Sequence, residues 1–206
     1  MLIFTPQSLA FIAVPKTGTM AVRAAIGRKA DIALSGGLRH MTARRFHLKV
    51  APWLAQAFDL IPERFAVMRT PEDQARSWYR YRCRLQNIGT EKSAAGISFD
   101  DFILASISDN PPPYARIGTQ SNMLTSEAGD LLVHHLFAYE NMPLLEAFLS
   151  QRLGEEIALE KKNVSPAVPA ELSPDVQEKF RATRARDYAL YERLQKARGY
   201  LQTEVE

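Results

Sequence analysis

One stretch near the start of the chain restricts the possible folds more than any other. Leu9-Ala10-Phe11-Ile12-Ala13-Val14 is an unbroken apolar run of strand length, and such a run reads as a strand buried on both faces. Pro15 stops it, because proline supplies no ladder N–H. The polar loop Lys16-Thr17-Gly18-Thr19 follows, and then Met20, Ala21, Val22, Ala24, Ala25 and Ile26 fall in a helix-compatible pattern. A buried strand that passes through a short polar loop into a helix is the repeating unit of α/β architecture.

A second unit of the same kind lies farther on. Arg64-Phe65-Ala66-Val67-Met68 reads as a strand, Arg69-Thr70-Pro71 as its exit, and residues 71–86 as a helix. Pro71 suits the first helical turn, and Glu72 and Asp73 oppose the helix dipole favourably. Between the units, Gly36-Gly37 marks a turn, and His40-Met41-Thr42 leads into a helix with Thr42 as its N-cap. Ser98-Phe99-Asp100-Asp101-Phe102 has the pattern of a capped helix start, and Pro111-Pro112-Pro113 that of a loop. Residues 132–138 read as a strand and residues 142–153 as an amphipathic helix ended by Gly154. Ser173-Pro174 opens the last helix, which carries Val176, Phe180, Tyr188, Tyr191 and Leu194. The alternation predicts one α/β domain over residues 1–206, with a mostly parallel central sheet flanked by helices.

Length and composition agree. A chain of 206 residues with 46% hydrophobic content can bury a substantial core without disulfide or metal staples. No stretch approaches the roughly 18 uninterrupted apolar residues of a membrane span. The single cysteine, Cys83, excludes an internal disulfide and a thiolate zinc site. The N-terminal residues lack a signal-peptide pattern, so a reducing cytoplasm is the expected compartment. The net charge of +3 is unevenly spread: residues 1–84 hold 14 Lys/Arg against 5 Asp/Glu, and residues 85–206 hold 12 against 18. A basic first half suits either an anionic ligand or solvated helix faces.

In an α/β fold, ligands bind beyond the carboxyl ends of the strands, and both units place polar residues there. Gly18 lets the backbone come close to a ligand, and successive N–H groups at a helix start can cradle an anion. Lys16 adds a point charge, and Thr17 and Thr19 add hydroxyl donors. A Walker A spacing is absent. Arg69 offers a planar fork suited to phosphate, and Ser77 lies about two helical turns into the next helix. Each feature also has an ordinary reading, as a βα turn with a surface lysine, or as an ion-pair arginine and a helix-filling serine.

Together the two units resemble a known family. Phe11-Ile12-Ala13-Val14-Pro15-Lys16-Thr17-Gly18-Thr19 is similar to the 5′-phosphosulfate-binding loop of sulfotransferases that use 3′-phosphoadenosine 5′-phosphosulfate (PAPS). Val67-Met68-Arg69-Thr70-Pro71 through Ser77-Trp78-Tyr79-Arg80-Tyr81 resembles their 3′-phosphate segment, with Arg and Ser at the family spacing. Softer landmarks are His40-Met41-Thr42-Ala43, Leu136 through Met142, Asn163-Val164-Ser165-Pro166 and Asp187-Tyr188. Two departures stand out, Thr70 where the family commonly has asparagine and Gln74 where it often has arginine. Arg76 or Arg80 could replace the missing anion contact.

The resemblance implies a P-loop-like sulfotransferase fold and a PAPS-dependent transferase that needs no metal. Lys16 is then the group that neutralises the leaving oxygen. Thr17, Gly18 and Thr19 hold the 5′-phosphate, and Arg69 and Ser77 hold the 3′-phosphate. His40 is the candidate base for an acceptor hydroxyl, since imidazole titrates near neutrality, with Glu140 as the alternative. Trp78, Tyr79 and Tyr81 can stack on adenine, line the acceptor site or simply pack in the core. Arg76, Arg80, Arg82 and Arg84 can receive an anionic acceptor or face solvent. Lys161-Lys162-Asn163 precedes a loop that could close over the nucleotide.

The expected partner is a small-molecule or carbohydrate acceptor, since acceptor loops vary independently of donor motifs. No nucleic-acid motif accompanies the basic half. The competing functions are a kinase-like phosphotransferase, which the missing Walker A spacing and the Arg69/Ser77 pair oppose, and a nucleotide- or polyanion-binding module without turnover.

Overall fold

The structure, a computed structural model, describes residues 1–160 and 168–205. Strands β1 (Leu2–Phe4), β2 (Leu9–Ile12), β3 (Ile32–Ala33), β4 (Glu63–Met68), β5 (His135–Ala138) and β6 (Tyr200–Gln202) form one sheet in the order β3-β1-β2-β4-β5-β6. The central three, β2, β4 and β5, are parallel, with Phe11 opposite Phe65 and Phe65 opposite His135. The β1–β3, β1–β2 and β5–β6 pairs are antiparallel.

The expected mostly parallel sheet is thus corrected to a mixed one: an α/β sheet with a parallel centre and antiparallel margins. The cause is connection length. Only residues 5–8 separate β1 from β2, and the Ser8 N–H donates to the Thr5 carbonyl at 3.1 Å to close that turn. Parallel neighbours need a crossover of about a dozen residues or more. At the other end, Arg198 and Gly199, both at positive φ, turn the chain back along β5.

Helices cover both faces. Leu9, Phe11 and Ala13 point to one face, where Val22 and Ile26 of α1 (Thr19–Ile26) and Leu145 and Leu149 of α7 (Met142–Leu153) meet them. Ala10, Ile12 and Val14 point to the other. There they meet Phe46, Leu54 of α3 (Ala51–Phe58), and Leu190 and Leu194 of α9 (Ala185–Lys196). Burial on both faces explains why β2 shows no polar alternation. A third apolar cluster joins α4 (Pro71–Arg82), α5 (Phe99–Ser106) and α8 (Pro174–Thr183) through Tyr79, Phe99, Phe102, Val176 and Phe180.

Several local signals act as expected. Thr42 accepts from the Arg45 N–H at 3.1 Å ahead of the short helix α2 (Ala43–Arg45), which continues as a π-turn to Val50. Ser98 accepts from the Asp101 N–H at 3.0 Å, and Gly154 ends α7 in a left-handed conformation. Others differ. The helix expected over 71–86 stops at Arg82, and the strand expected over 132–138 begins only at His135. The single last helix is two, broken at Arg184, whose buried guanidinium turns inward to the Ser106 and Ile117 carbonyls. Among the described residues no helix is long and apolar enough to cross a membrane.

Candidate functional site

Because β2, β4 and β5 run parallel, their carboxyl ends open on the same edge of the sheet. β2 leads through Val14 to the loop 15–18, β4 to Arg69 and Thr70, and β5 to Tyr139 and Glu140. A cleft of about 950 Å³ lies there, lined by Lys16, Gly18, Thr19, His40, Arg69, Ser77 and Glu140 among others. Of the residues singled out in the sequence, Thr17, Arg76, Tyr79 and Arg84 are missing from the wall.

The loop is shaped from inside. Thr17, fully buried, and Thr19 both donate their hydroxyl protons to the Val14 carbonyl, at 2.9 and 2.7 Å. This differs from the expected hydroxyl donation to a phosphate, because each hydroxyl has one proton and it is already used. The donors left over are backbone. Among the described residues, the N–H groups of Gly18, Thr19 and Met20 have no protein acceptor. Lys16 and Gly18 both adopt positive φ, 68° and 79°, which bends the loop into an anion-binding concavity at the start of α1. The turn needs glycine at 18 for a second reason: a Cβ there would lie 3.1 Å from Tyr139 Cε2.

Lys16 is the most perturbed cation of the site. Burial, and then the charges of Arg84, Arg69 and Arg82, lower its pKa to about 8. Its Nζ lies 4.4 Å from the Tyr81 ring centre and 5.8 Å from that of Trp78. Among the described residues no carboxylate pairs with Lys16, Arg39, Arg69 or Arg82. The Nε atoms of the three arginines are buried and meet no hydrogen-bond acceptor among the described residues. Of the lining carboxylates, Asp73 is paired with Arg76 at 2.9 Å. Glu140 accepts from the Thr70 N–H at 3.1 Å and the Tyr191 hydroxyl at 2.7 Å. Buried cations without carboxylate partners carry a desolvation cost that a bound anion offsets.

Arg69 is framed by residues that sequence reasoning did not select. Gln120, fully buried in α6 (Gln120–Leu124), accepts from the Arg69 N–H at 2.9 Å and donates to its carbonyl at 2.7 Å. The α6 N-terminus is itself held by Asp187, which accepts from the Gln120 and Ser121 N–H groups at 3.2 and 2.7 Å. The Arg69 guanidinium lies 4.5 Å from the Tyr139 ring centre, so Tyr139 stands between Gly18 and Arg69. Gln74, the departure from the family's arginine, donates to the Pro15 carbonyl at 3.0 Å and ties α4 to the loop. Thr70, the other departure, caps α4 by accepting from the Asp73 N–H at 3.2 Å. Asp187 was readable only as a landmark, and no local pattern marks Gln120.

His40 faces the cleft from the segment after Gly36–Leu38. Its Nδ1 lies 2.7 Å from the Ala13 carbonyl. A carbonyl only accepts, so Nδ1 carries the proton and Nε2 keeps its lone pair. Partial burial, opposed by the Ala13 bond and assisted by the N-terminal ammonium, Arg39 and Arg23, holds its pKa below the ordinary imidazole value. The ring is therefore a neutral acceptor at pH 7. Lys161-Lys162-Asn163 and Asn163-Val164-Ser165-Pro166 lie outside the described residues.

No family model, no curated protein and no solved structure matches the chain.

Proposed function

We propose that the protein is a soluble, cytoplasmic sulfotransferase that moves a sulfuryl group from PAPS to a hydroxyl or amine of a small-molecule or carbohydrate acceptor. The observation that carries this reading is convergence. Lys16, Gly18, Thr19, His40, Arg69 and Ser77, drawn from three separate chain segments, line one cleft that is rich in cations. The lone cysteine, Cys83, is a free thiol, which suits a reducing compartment.

In this reading the free N–H groups of Gly18, Thr19 and Met20 hold the 5′-phosphate, and Arg69 with Ser77 holds the 3′-phosphate. Thr17 contributes by bracing the loop rather than by touching the donor. The acceptor oxygen attacks sulfur as the bond from sulfur to the bridging oxygen breaks. The acceptor proton passes to His40 Nε2, and adenosine 3′,5′-bisphosphate leaves with its new charge beside the Lys16 ammonium. Catalysis of this kind rests on positioning and on stabilising developed charge. No step calls for a metal.

Calorimetric titration with adenosine 3′,5′-bisphosphate, against 5′-AMP and ATP, tests the donor site. The bisphosphate should bind selectively, and Lys16→Ala and Arg69→Ala should each weaken it about tenfold or more, the usual worth of a charged hydrogen bond. A preference for ATP, or no binding at all, overturns the reading.

A further inference from the structure

The cleft contains cations beyond those the donor uses, and the rings they pack on say where they act. Ser77, one helical turn before Tyr81, belongs to the 3′-phosphate end of the site. Tyr81 packs on Lys16, at the 5′ end. Arg82 packs over the same two rings as Lys16, whereas Arg69 packs over Tyr139, so the Arg82 guanidinium belongs to the Lys16 end of the cleft. Arg82 is 9% exposed, lines the cleft, and packs over Trp78 at 5.2 Å and Tyr81 at 6.0 Å. Its Nε is buried with no acceptor among the described residues. Arg39 lies in the same wall beside His40, and its Nε is also buried with no acceptor among the described residues.

We infer that Arg82 forms a second anion subsite, distinct from the donor phosphates, and that the acceptor carries a negative group, a carboxylate or a sulfate ester, that docks there. The inference rests on the donor reading, because that reading sets the sulfuryl group beside Lys16. In-line displacement brings the acceptor to sulfur from the side opposite the leaving oxygen. Arg82, seated on the two rings that hold Lys16, is a buried guanidinium at that end of the cleft. Trp78 and Tyr81 line the cleft at the same place, edge to face with centroids 6.0 Å apart, an aromatic wall against which the apolar part of an acceptor can rest. An arginine that among the described residues has aromatic rings but no hydrogen-bond acceptor or carboxylate beside it selects for charge, since a neutral acceptor would leave it desolvated and unpaired.

Titration of the bisphosphate-saturated protein with inorganic sulfate tests this, with glucuronate and glucose as further arms. Sulfate should bind the saturated protein, and glucuronate should bind while glucose does not. Arg82→Gln should weaken sulfate about tenfold or more, as for loss of a charged hydrogen bond, while Arg82→Lys retains most of the binding. Bisphosphate affinity should stay within about threefold of wild type in both variants, well under the tenfold loss of a donor contact. If sulfate is excluded once the bisphosphate is bound, Arg82 belongs to the donor site and the inference is wrong. That arm uses the unaltered protein, so it stands even where Arg82→Gln fails to fold. Sulfate binding that Arg82→Gln leaves intact, or glucose binding as well as glucuronate, overturns it equally. Failure of the bisphosphate itself to bind defeats the donor reading and the acceptor assignment with it, which separates the two failures.

Discussion

Replacing Gly18 by alanine tests how the two strand–loop–helix units are coupled. Gly18 has φ 79° and ψ 11°, a left-handed conformation that costs an L-residue about 1–2 kcal/mol. The added methyl would sit 3.1 Å from Tyr139 Cε2 and 3.4 Å from Cδ2, so the ring must move by a few tenths of an ångström. Gly154 is the matched control: its φ of 72° and ψ of 21° are nearly the same, and a Cβ there meets nothing within 4 Å. For a chain of this size 1 kcal/mol shifts Tm by about 2–4 °C, so Gly154→Ala should lower it by about 2–8 °C. Gly18→Ala should lower it by at least as much. The two variants part at the ligand. Tyr139 packs against the Arg69 guanidinium, so moving the ring moves the 3′-phosphate clamp. Gly18→Ala should weaken adenosine 3′,5′-bisphosphate about three- to tenfold, up to 1.4 kcal/mol, and Gly154→Ala should leave it unchanged. Scanning calorimetry and isothermal titration on the two proteins measure both effects. If Gly18→Ala binds the bisphosphate as tightly as Gly154→Ala, Tyr139 does not link loop and clamp.

Three further outcomes are expected. Since Lys16 titrates at about 8 in the free site, it is charged below that pH, and bisphosphate affinity should fall as pH rises past it, by up to about tenfold per unit. Lys16→Arg should flatten the profile between about pH 7 and 9, and a flat wild-type titration would contradict the role of Lys16. His40→Gln should lower kcat about 10²- to 10⁴-fold, the range for general-base loss, and leave bisphosphate affinity alone. The wild-type rate should decline on acidification below the ordinary imidazole range, because partial burial holds the His40 pKa down. Asp187→Asn deprives one of the two α6 N–H groups of its acceptor, at a cost of about 1–3 kcal/mol. It should therefore lower Tm by several degrees and weaken the bisphosphate through Gln120 and Arg69. A fall in Tm with full affinity would make Asp187 purely architectural.

What could be read from the sequence follows how locally each feature is encoded. β2 and β4 were legible because both their faces are buried, so that Leu9–Ile12 and residues 65–68 are apolar throughout and Pro15 and Pro71 mark their exits. β1, β3 and β6 were not. They are two or three residues long, too short for any periodicity, and they exist because a neighbouring strand offers an edge. The parallel centre was therefore expected and the antiparallel margins were missed. The break at Arg184 was hidden for a related reason: Val176 through Leu194 keep an apolar spacing that crosses the break, while a buried arginine seeking two distant carbonyls decides where the helix stops.

The site divides along the same line. Lys16, Gly18, Thr19 and Arg69 lie just beyond the carboxyl end of a strand, with Ser77 two turns into the helix that follows Arg69, and a parallel sheet brings such positions together whatever lies between them. Strand order alone therefore sufficed to gather them into one cleft. The residues that hold them lie at long range: Gln120 is 51 residues from Arg69, and Asp187 a further 67 from Gln120. The two threonines show the converse. Their residue type and spacing suggested donors to a phosphate, yet the Val14 carbonyl, left without a ladder partner where Pro15 interrupts the strand, takes both protons. The hydroxyls serve the backbone, and the backbone is left to serve the anion. Threonine at 17 is thus a loop-shaping choice, which valine, its isostere without a proton to donate, cannot replace.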